Sequence, residues 1–147
     1  MFSAFVTPVR KIVHALVASH SPAQLAAGFT LGMIIGFVPK NNLIALSLCV
    51  LLFSLRCNKG LALLGAVLFT CVATWTDPFS HKLGLAVLSM PSMQATYASA
   101  LTFPLGPWLG FHNTVVSGSL TLAIYVAYPV YWLTKTFCTA IQRRAAQ

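Results

Sequence analysis

The side chains that most enzymes use for acid–base or metal chemistry are scarce in this sequence. Asp77 is the one acidic residue among 147, and there is no glutamate. A pair of carboxylates for glycoside hydrolysis or for a two-metal site therefore cannot form within one chain. The four histidines lack the spacing of zinc ligands. We therefore predict a protein that is not an enzyme and has no catalytic residues, metal ligands or cofactor.

The polar residues that could carry a function flank breaks in apolar segments. Lys40, Asn41 and Asn42 form one group, and His112 with Asn113 forms a matching group later in the chain. If helix N-termini point at these breaks, their partial positive charge would favour an anion, for which a lipid phosphate headgroup is a natural candidate. The competing interpretation is that Lys40 reaches the membrane interface and only anchors its helix.

Asp77 and His81 are four residues apart and would share one helix face. One interpretation is a proton- or ion-linked pair, because histidine titrates near neutral pH. The other is that Asp77 caps a helix whose first residue is Pro78, with His81 incidental in the first turn. Both residues join the candidate substrate-binding set, which is Lys40, Asn41, Asn42, Asp77, His81, His112 and Asn113.

The composition indicates that lipid, rather than water, covers most of this chain. Hydrophobic residues make up 58% and charged residues 7%, against about 25% charged residues in a soluble domain. The basic residues sit in short groups between apolar runs, which is typical of membrane-flanking anchors rather than of a nucleic-acid surface. We therefore predict a polytopic α-helical membrane protein that contacts anionic headgroups and no nucleic acid.

The segments on either side of Pro39 to Asn42 are short. The second, Leu43 to Leu55, reaches about 20 Å, against a hydrocarbon core of about 30 Å. The two arms are either thin full crossings or a re-entrant hairpin with its tip at membrane depth, and we favour the re-entrant hairpin. Gly28, Gly32 and Gly36 share one face of the first arm, which would let another helix approach closely.

Two segments of the sequence resemble each other. Leu31-Gly32-x-x-x-Gly36-Phe37 recurs as Leu105-Gly106-x-x-x-Gly110-Phe111, and an asparagine and an apolar helix follow each copy. Duplicated halves with broken helices point to transporter-like architecture. Chance recurrence is the alternative, because Leu and Gly are common in membrane helices.

The predicted organisation is a single all-α integral membrane domain over residues 1–147, with short, broken or re-entrant helices and, as a hypothesis, two related halves. An amphipathic interfacial helix is expected at the N-terminus, because apolar and basic residues alternate there with helical spacing. Two spans fit within the uncharged residues 83–134. The predicted parts are the interfacial helix over 1–20, the first half over 22–76, the second half over 77–135 and a basic tail over 136–147.

Three stretches together resemble a known family. They are SPAQLAAGFTLGMIIGFVPKNN (Ser21 to Asn42), DPFSHKLG (Asp77 to Gly84) and NTVVSGSL (Asn113 to Leu120). They are similar to a family of small bacterial inner-membrane proteins related to domain of unknown function 2062. The resemblance implies a multi-pass protein of the bacterial cytoplasmic membrane. It also implies a membrane partner, since such proteins are often encoded beside a large envelope protein, but it implies no activity and no site.

Two functions remain open from the sequence. The first is binding or transport of an anionic lipid-like substrate at the helix breaks. The alternative is a non-catalytic membrane anchor or assembly subunit of a larger envelope complex, with a homodimer as a further option. The positive-inside rule places Arg56 and Lys59 on the cytoplasmic side, and we expect the C-terminus there too.

Overall fold

The computed structural model describes residues 20–145, without the side chains of Met93 and Ala145, and contains six helices in this range. No strand occurs among these residues, so the all-helical class is confirmed. The interfacial helix predicted for residues 1–20 lies, except for its last residue, outside the described part. The helices are α1 (Pro22–Phe37), α2 (Leu43–Ser54), α3 (Lys59–Leu88), α4 (Pro91–Thr102), α5 (Gly106–Leu109) and α6 (Thr114–Ala145).

Capping side chains fix where α1 and α3 begin. The Ser21 hydroxyl accepts from the Gln24 backbone N–H at 3.3 Å, and the Gln24 side chain accepts from the Ser21 backbone N–H at 3.2 Å. Pro22 occupies the first position of α1, where its missing N–H costs nothing. Asn58 Oδ1 caps α3 by accepting from the Leu61 N–H at 2.8 Å.

Glycines bring α1 and α3 into backbone contact. A Cβ on Gly32 would collide with the carbonyl group of Ala62, and one on Gly36 would lie 2.8 Å from the carbonyl oxygen of Ala66. Contacts advance together along both helices, so α1 and α3 run parallel. The predicted close approach on the glycine face is confirmed, and its partner is a helix of the same chain.

α6 runs antiparallel to α3. Gly118 faces the Ser80 carbonyl and Gly84 faces the Thr114 carbonyl, so residue numbers rise along one helix as they fall along the other. The second half of α6 packs on α1 in the same antiparallel sense. The three helices form a bundle, and α2 returns along its side after the break at residues 38–42.

α3 continues through Pro78, where the sequence analysis placed the end of one helix and the start of another. Proline removes one backbone hydrogen bond, but apolar helices tolerate it when neighbouring helices support them. Here α1 packs on α3 before this proline, and Ser80 and Gly84 pack on α6 after it. The predicted helix cap at Asp77 is therefore wrong, and the expected boundary between residues 76 and 77 falls inside a helix.

Residues 83–134 contain one long helix rather than two spans. α4 has 12 residues and α5 has four, so α4 reaches only about 18 Å. The chain turns after α5 at Gly110, whose φ of 76° is left-handed and favours glycine. α6 then runs for 32 residues without interruption, so the predicted basic tail is helical as far as Ala145.

The two similar sequence segments have different structures. Gly32 and Gly36 lie inside the 16-residue α1, whereas Gly106 begins the four-residue α5 and Gly110 forms the left-handed turn after it. The likeness holds only after the breaks, where Asn42 precedes α2 and Asn113 precedes α6.

α3 and α6 are long and apolar enough to cross a membrane. In the most apolar 18-residue stretch of each helix, the buried share is only 11% for α3 and 28% for α6. Large apolar side chains instead point outward, as in Leu63 (67% exposed), Trp75 (88%) and Tyr128 (77%). The exposed apolar side chains of α2, of α3 between Lys59 and Asp77, and of α6 between Thr114 and Thr134 are called the apolar belt below.

Candidate functional site

The two helix breaks that the sequence singled out lie side by side. Val38 and Ala45, on either side of the first break, share a buried cluster with Val116 near the start of α6. A Cβ on Gly110, in the second break, would lie 3.1 Å from the Cβ of Asn42. The two predicted groups of polar residues are therefore carried by adjoining segments at one end of the bundle.

Lys40 closes the C-terminal end of α1. Its Nζ donates hydrogen bonds to the carbonyl oxygens of Gly36 at 2.9 Å and Val38 at 3.0 Å. The Thr70 hydroxyl of α3 donates to the same Gly36 oxygen at 3.4 Å. A lysine ammonium has three N–H donors, so one donor remains beyond these two carbonyls. Lys40 is exposed, so this third donor is accessible from outside the bundle.

Lys40 and Asp77 line the same cavity, which has a volume of about 210 Å³. One wall is the end of α1 with the extended residues that follow it. The other wall is a face of α3 on which Thr70, Thr74 and Asp77 succeed one another at helical spacing. Asp77 is half-buried, and no hydrogen bond or ion pair within residues 20–145 engages its carboxylate.

The two charges of this cavity lie at different depths. From Thr70 to Asp77 the cavity extends about 10 Å along α3. Lys40 Nζ shares the Gly36 carbonyl with Thr70, so it lies at the inner end, beside the apolar belt. Asp77 lies at the outer end, toward the tip of the bundle. The cavity therefore presents first a cation and then a carboxylate on the way out.

The two asparagines of the first group do not line this cavity. Asn42 Oδ1 accepts from the Ala45 N–H at 2.8 Å, and its Nδ2 donates to the Pro39 carbonyl at 2.6 Å. These bonds cap α2 and hold the turn before it. Asn41 is exposed beside it. Of the three predicted residues in this group, only Lys40 reaches the cavity.

The second predicted group is arranged around the start of α6. His81 Nδ1 and Thr114 Oγ1 are 2.6 Å apart, which joins α3 to the first residue of α6. Asn113 Oδ1 accepts from the Val115 N–H at 2.9 Å, and His112 is exposed. The His81 ring thus bonds across to α6, and no described hydrogen bond links it to Asp77.

Thr70 and Thr74 line the cavity but escaped the sequence analysis. Both hydroxyls donate to carbonyls one turn earlier, to Ala66 at 2.7 Å and to Thr70 at 3.4 Å. Because these hydroxyls already donate their hydrogens, they can only accept further hydrogen bonds. Their spacing from Asp77, at seven and three residues, is the signal that could have revealed them, because it places all three on one helix face.

A second lysine closes the other arm of the hairpin. Lys59 Nζ donates to the carbonyl oxygens of Leu52, Phe53 and Leu55 at the end of α2. Sequence reasoning treated this residue only as a membrane-flanking charge. Within residues 20–145 there is no group of three or more His, Cys, Asp or Glu side chains that could hold a metal ion.

Comparisons with known proteins agree with the sequence motifs. The model of a family described as "Uncharacterized protein conserved in bacteria (DUF2062)" matches residues 7–147. A curated protein of Treponema pallidum (strain Nichols), described as "Uncharacterized protein", is 31% identical over 129 residues, which cover 88% of this chain and 80% of the relative. No solved structure matches significantly. The match includes all six helices, and the chain therefore belongs to the bacterial family DUF2062.

Proposed function

We propose that this chain is a multi-pass protein of the bacterial cytoplasmic membrane that binds a phospholipid headgroup in the cavity lined by Lys40 and Asp77. The observation that carries the proposal is the position of this charged cavity at the edge of the exposed apolar belt. Transport of the bound lipid would need a second state of the bundle, so binding is the function that we propose.

The length of the apolar belt supports membrane insertion. Between Lys59 and Asp77, α3 carries no charged side chain over about 27 Å, which is close to the roughly 30 Å of a hydrocarbon core. α6 is likewise uncharged from Thr114 to Thr134. Because most of the apolar side chains in these stretches point outward, water would be a poor solvent for them.

The charges at the two ends support an orientation. The Gln142 side chain donates to the His20 carbonyl at 2.9 Å, so the end of α6 lies beside the start of α1. The Asn58 N–H donates to the Gln24 carbonyl at 3.3 Å, so α3 starts at this end too. The positive-inside rule makes this the cytoplasmic end. The basic residues gathered there are Arg56, Lys59, Lys135, Arg143 and Arg144.

The height of the α1–α2 hairpin favours two crossings over the re-entrant arrangement that we favoured from the sequence. The hairpin begins beside Asn58, and its tip carries Lys40 into the same cavity as Asp77. Its tip therefore lies between the levels of Thr70 and Asp77, within about 10 Å of the outer end of the charge-free stretch of α3.

Lys40 is the cation in the cavity that would bind a phosphate. An ammonium at the edge of the apolar belt would lie at the level of lipid headgroups, where anionic phosphates attract basic side chains. The carbonyls of Gly36 and Val38 supply two hydrogen bonds but no compensating charge. A phosphate oxygen at the third donor would supply both, and charge-assisted hydrogen bonds are stronger than neutral ones.

Lipid retention by a Lys40 variant tests this function. Wild type, Lys40→Gln and the control Lys82→Gln are purified in mild detergent, and bound phospholipid is counted by native mass spectrometry. Lys82 is a matched control, because it is an exposed lysine near the same end and does not line the cavity. We expect Lys40→Gln to lose about tenfold in affinity and Lys82→Gln to match wild type. Equal retention by Lys40→Gln, in protein with a wild-type melting profile, would refute the proposal.

The alternative function is a non-catalytic anchor or assembly subunit of an envelope complex, and its partner cannot use the glycine face of α1. Gly28, Gly32 and Gly36 all pack on α3 or its N-cap Asn58 in the same chain. A partner or a second copy would have to use a different surface. Co-purification of an envelope protein with both wild type and Lys40→Gln would support that alternative.

A further inference from the structure

We propose that the cavity selects a zwitterionic phospholipid with a phosphoethanolamine headgroup, its phosphate on Lys40 and its primary ammonium on Asp77. This inference rests on the function proposed above and names the class of lipid. It is carried by the order of the two charges along the cavity and by the Asp77 carboxylate, which has no hydrogen-bond or ion-pair partner among residues 20–145.

The order of charges matches that of the headgroup. A phosphoethanolamine lipid presents its phosphate next to the acyl chains and its ammonium farther out, toward water. The cavity presents the Lys40 cation beside Thr70 and the apolar belt, and the Asp77 carboxylate at its outer end, a helical rise of about 10 Å from Thr70. If the acyl chains lie along the belt, the lipid phosphate would therefore lie beside Lys40 and the ammonium beside Asp77.

Asp77 argues against a purely anionic lipid. It is the one acidic residue of the chain, and within the described residues no cation neutralises its carboxylate. A headgroup with only negative charge, such as phosphoglycerol, would bring like charges together in a partly desolvated site. A primary ammonium instead brings three N–H donors to a carboxylate that can accept them.

The same contact separates ethanolamine from choline headgroups. A quaternary ammonium carries no N–H group, so it cannot donate a hydrogen bond to Asp77. Its methyl groups also enlarge the headgroup in a cavity of about 210 Å³. Each added methyl group should therefore weaken binding, since it removes one donor.

The wild-type protein in detergent provides a test that needs no mutation. Affinity is measured for matched lipids with ethanolamine, N-methyl-, N,N-dimethylethanolamine, choline and glycerol headgroups. We expect a stepwise decline along the methylation series, with choline and glycerol lipids each about tenfold weaker than the ethanolamine lipid. Equal affinities for ethanolamine and glycerol lipids would overturn the inference while leaving lipid binding intact.

Substitution of Asp77 tests the assigned partner. Asp77→Asn should lose the preference for the ethanolamine over the glycerol lipid, whereas Asp77→Glu, which keeps the carboxylate, should retain most of it. A preference unchanged in a folded Asp77→Asn protein would overturn the role of this carboxylate. Loss of all lipid binding in Lys40→Gln together with an unchanged preference in Asp77→Asn would preserve the proposed function and refute the selectivity.

Soluble glycerophosphoethanolamine distinguishes a lipid from a free metabolite. It carries the same phosphodiester and primary ammonium without acyl chains, so it lacks the contact with the apolar belt. We expect no displacement of the bound lipid at equal concentration. Displacement at equal concentration would mean that the site takes a small soluble zwitterion, and it would overturn the assignment to a lipid.

Discussion

Gly32 of α1 lies directly against the backbone of Ala62 in α3, with no space for a side chain between the two helices. This contact holds the C-terminal end of α1 close to α3, and the cavity lies between that end and the face of α3 that carries Asp77. The packing of a small-residue face thus sets the width of the proposed headgroup site.

Gly32→Val should therefore disturb both packing and binding. A side chain at this position forces the helix backbones apart, and overpacking of this kind costs about 1–3 kcal/mol. We expect a lower thermal unfolding midpoint in detergent micelles. Gly60→Ala is the matched control, because Gly60 is exposed in the first turn of α3. A Gly32→Val protein as stable as wild type would show that the two helices are not in backbone contact.

Substitution by alanine should lower the stability at Asn42 but not at the adjacent Asn41 of the hairpin tip. Asn42→Ala removes the cap of α2 and the bond to the Pro39 carbonyl, which costs about 1 kcal/mol. Asn41→Ala should leave the unfolding midpoint unchanged, because Asn41 is exposed. Neither variant should alter the headgroup preference. A changed preference in Asn42→Ala, with stability unaffected, would mean that Asn42 contacts the ligand.

Lys59→Met should destabilise the α1–α2 hairpin, because carbonyl oxygens at the end of α2 lose their hydrogen-bond donor. Lys59 donates to three carbonyl oxygens at the end of α2, of which only that of Leu52 is partly buried, and the loss of such a hydrogen bond costs about 1 kcal/mol. Lys59→Arg keeps the charge and several donors, so it should recover part of the loss. The measurement is thermal unfolding at matched detergent concentration. Equal midpoints for wild type and Lys59→Met would contradict this capping role.

Cysteine accessibility tests the orientation and the two-crossing hairpin together. The four native cysteines are replaced by alanine, and single cysteines are placed at Asn41, His112 and Arg144, all of which are exposed. A membrane-impermeant maleimide should label positions 41 and 112 in intact spheroplasts and position 144 only after permeabilisation. Protection of position 41 under both conditions would favour a re-entrant tip at membrane depth.

The sequence predicted those features that depend on local chemistry. The break between Pro39 and Asn42 is present, because the effects of proline and of a capping asparagine act within one turn. The glycine face also had its expected role, although the sequence could not tell that its partner lies in the same chain. That choice depends on packing between segments about 30 residues apart.

The sequence failed where tertiary packing overrides a local signal. Asp77-Pro78 reads as a helix start, yet α3 passes through it because α1 and α6 support the helix on either side. The sequence also did not predict that Lys40 and Asp77 line the same cavity, because this arrangement follows from the parallel packing of α1 on α3. Asn42 was expected to meet a ligand, and its hydrogen bonds to Pro39 and Ala45 give it a structural role instead.

The central claim is that a lipid phosphate sits on Lys40, and the most direct measurement is a crystal structure grown from a lipid phase that contains phosphatidylethanolamine. We predict a phosphate oxygen within about 3.2 Å of Lys40 Nζ, with the ethanolamine nitrogen beside the Asp77 carboxylate. A cavity filled by the protein's own side chains, with ordered headgroups only elsewhere on the bundle, would contradict the account.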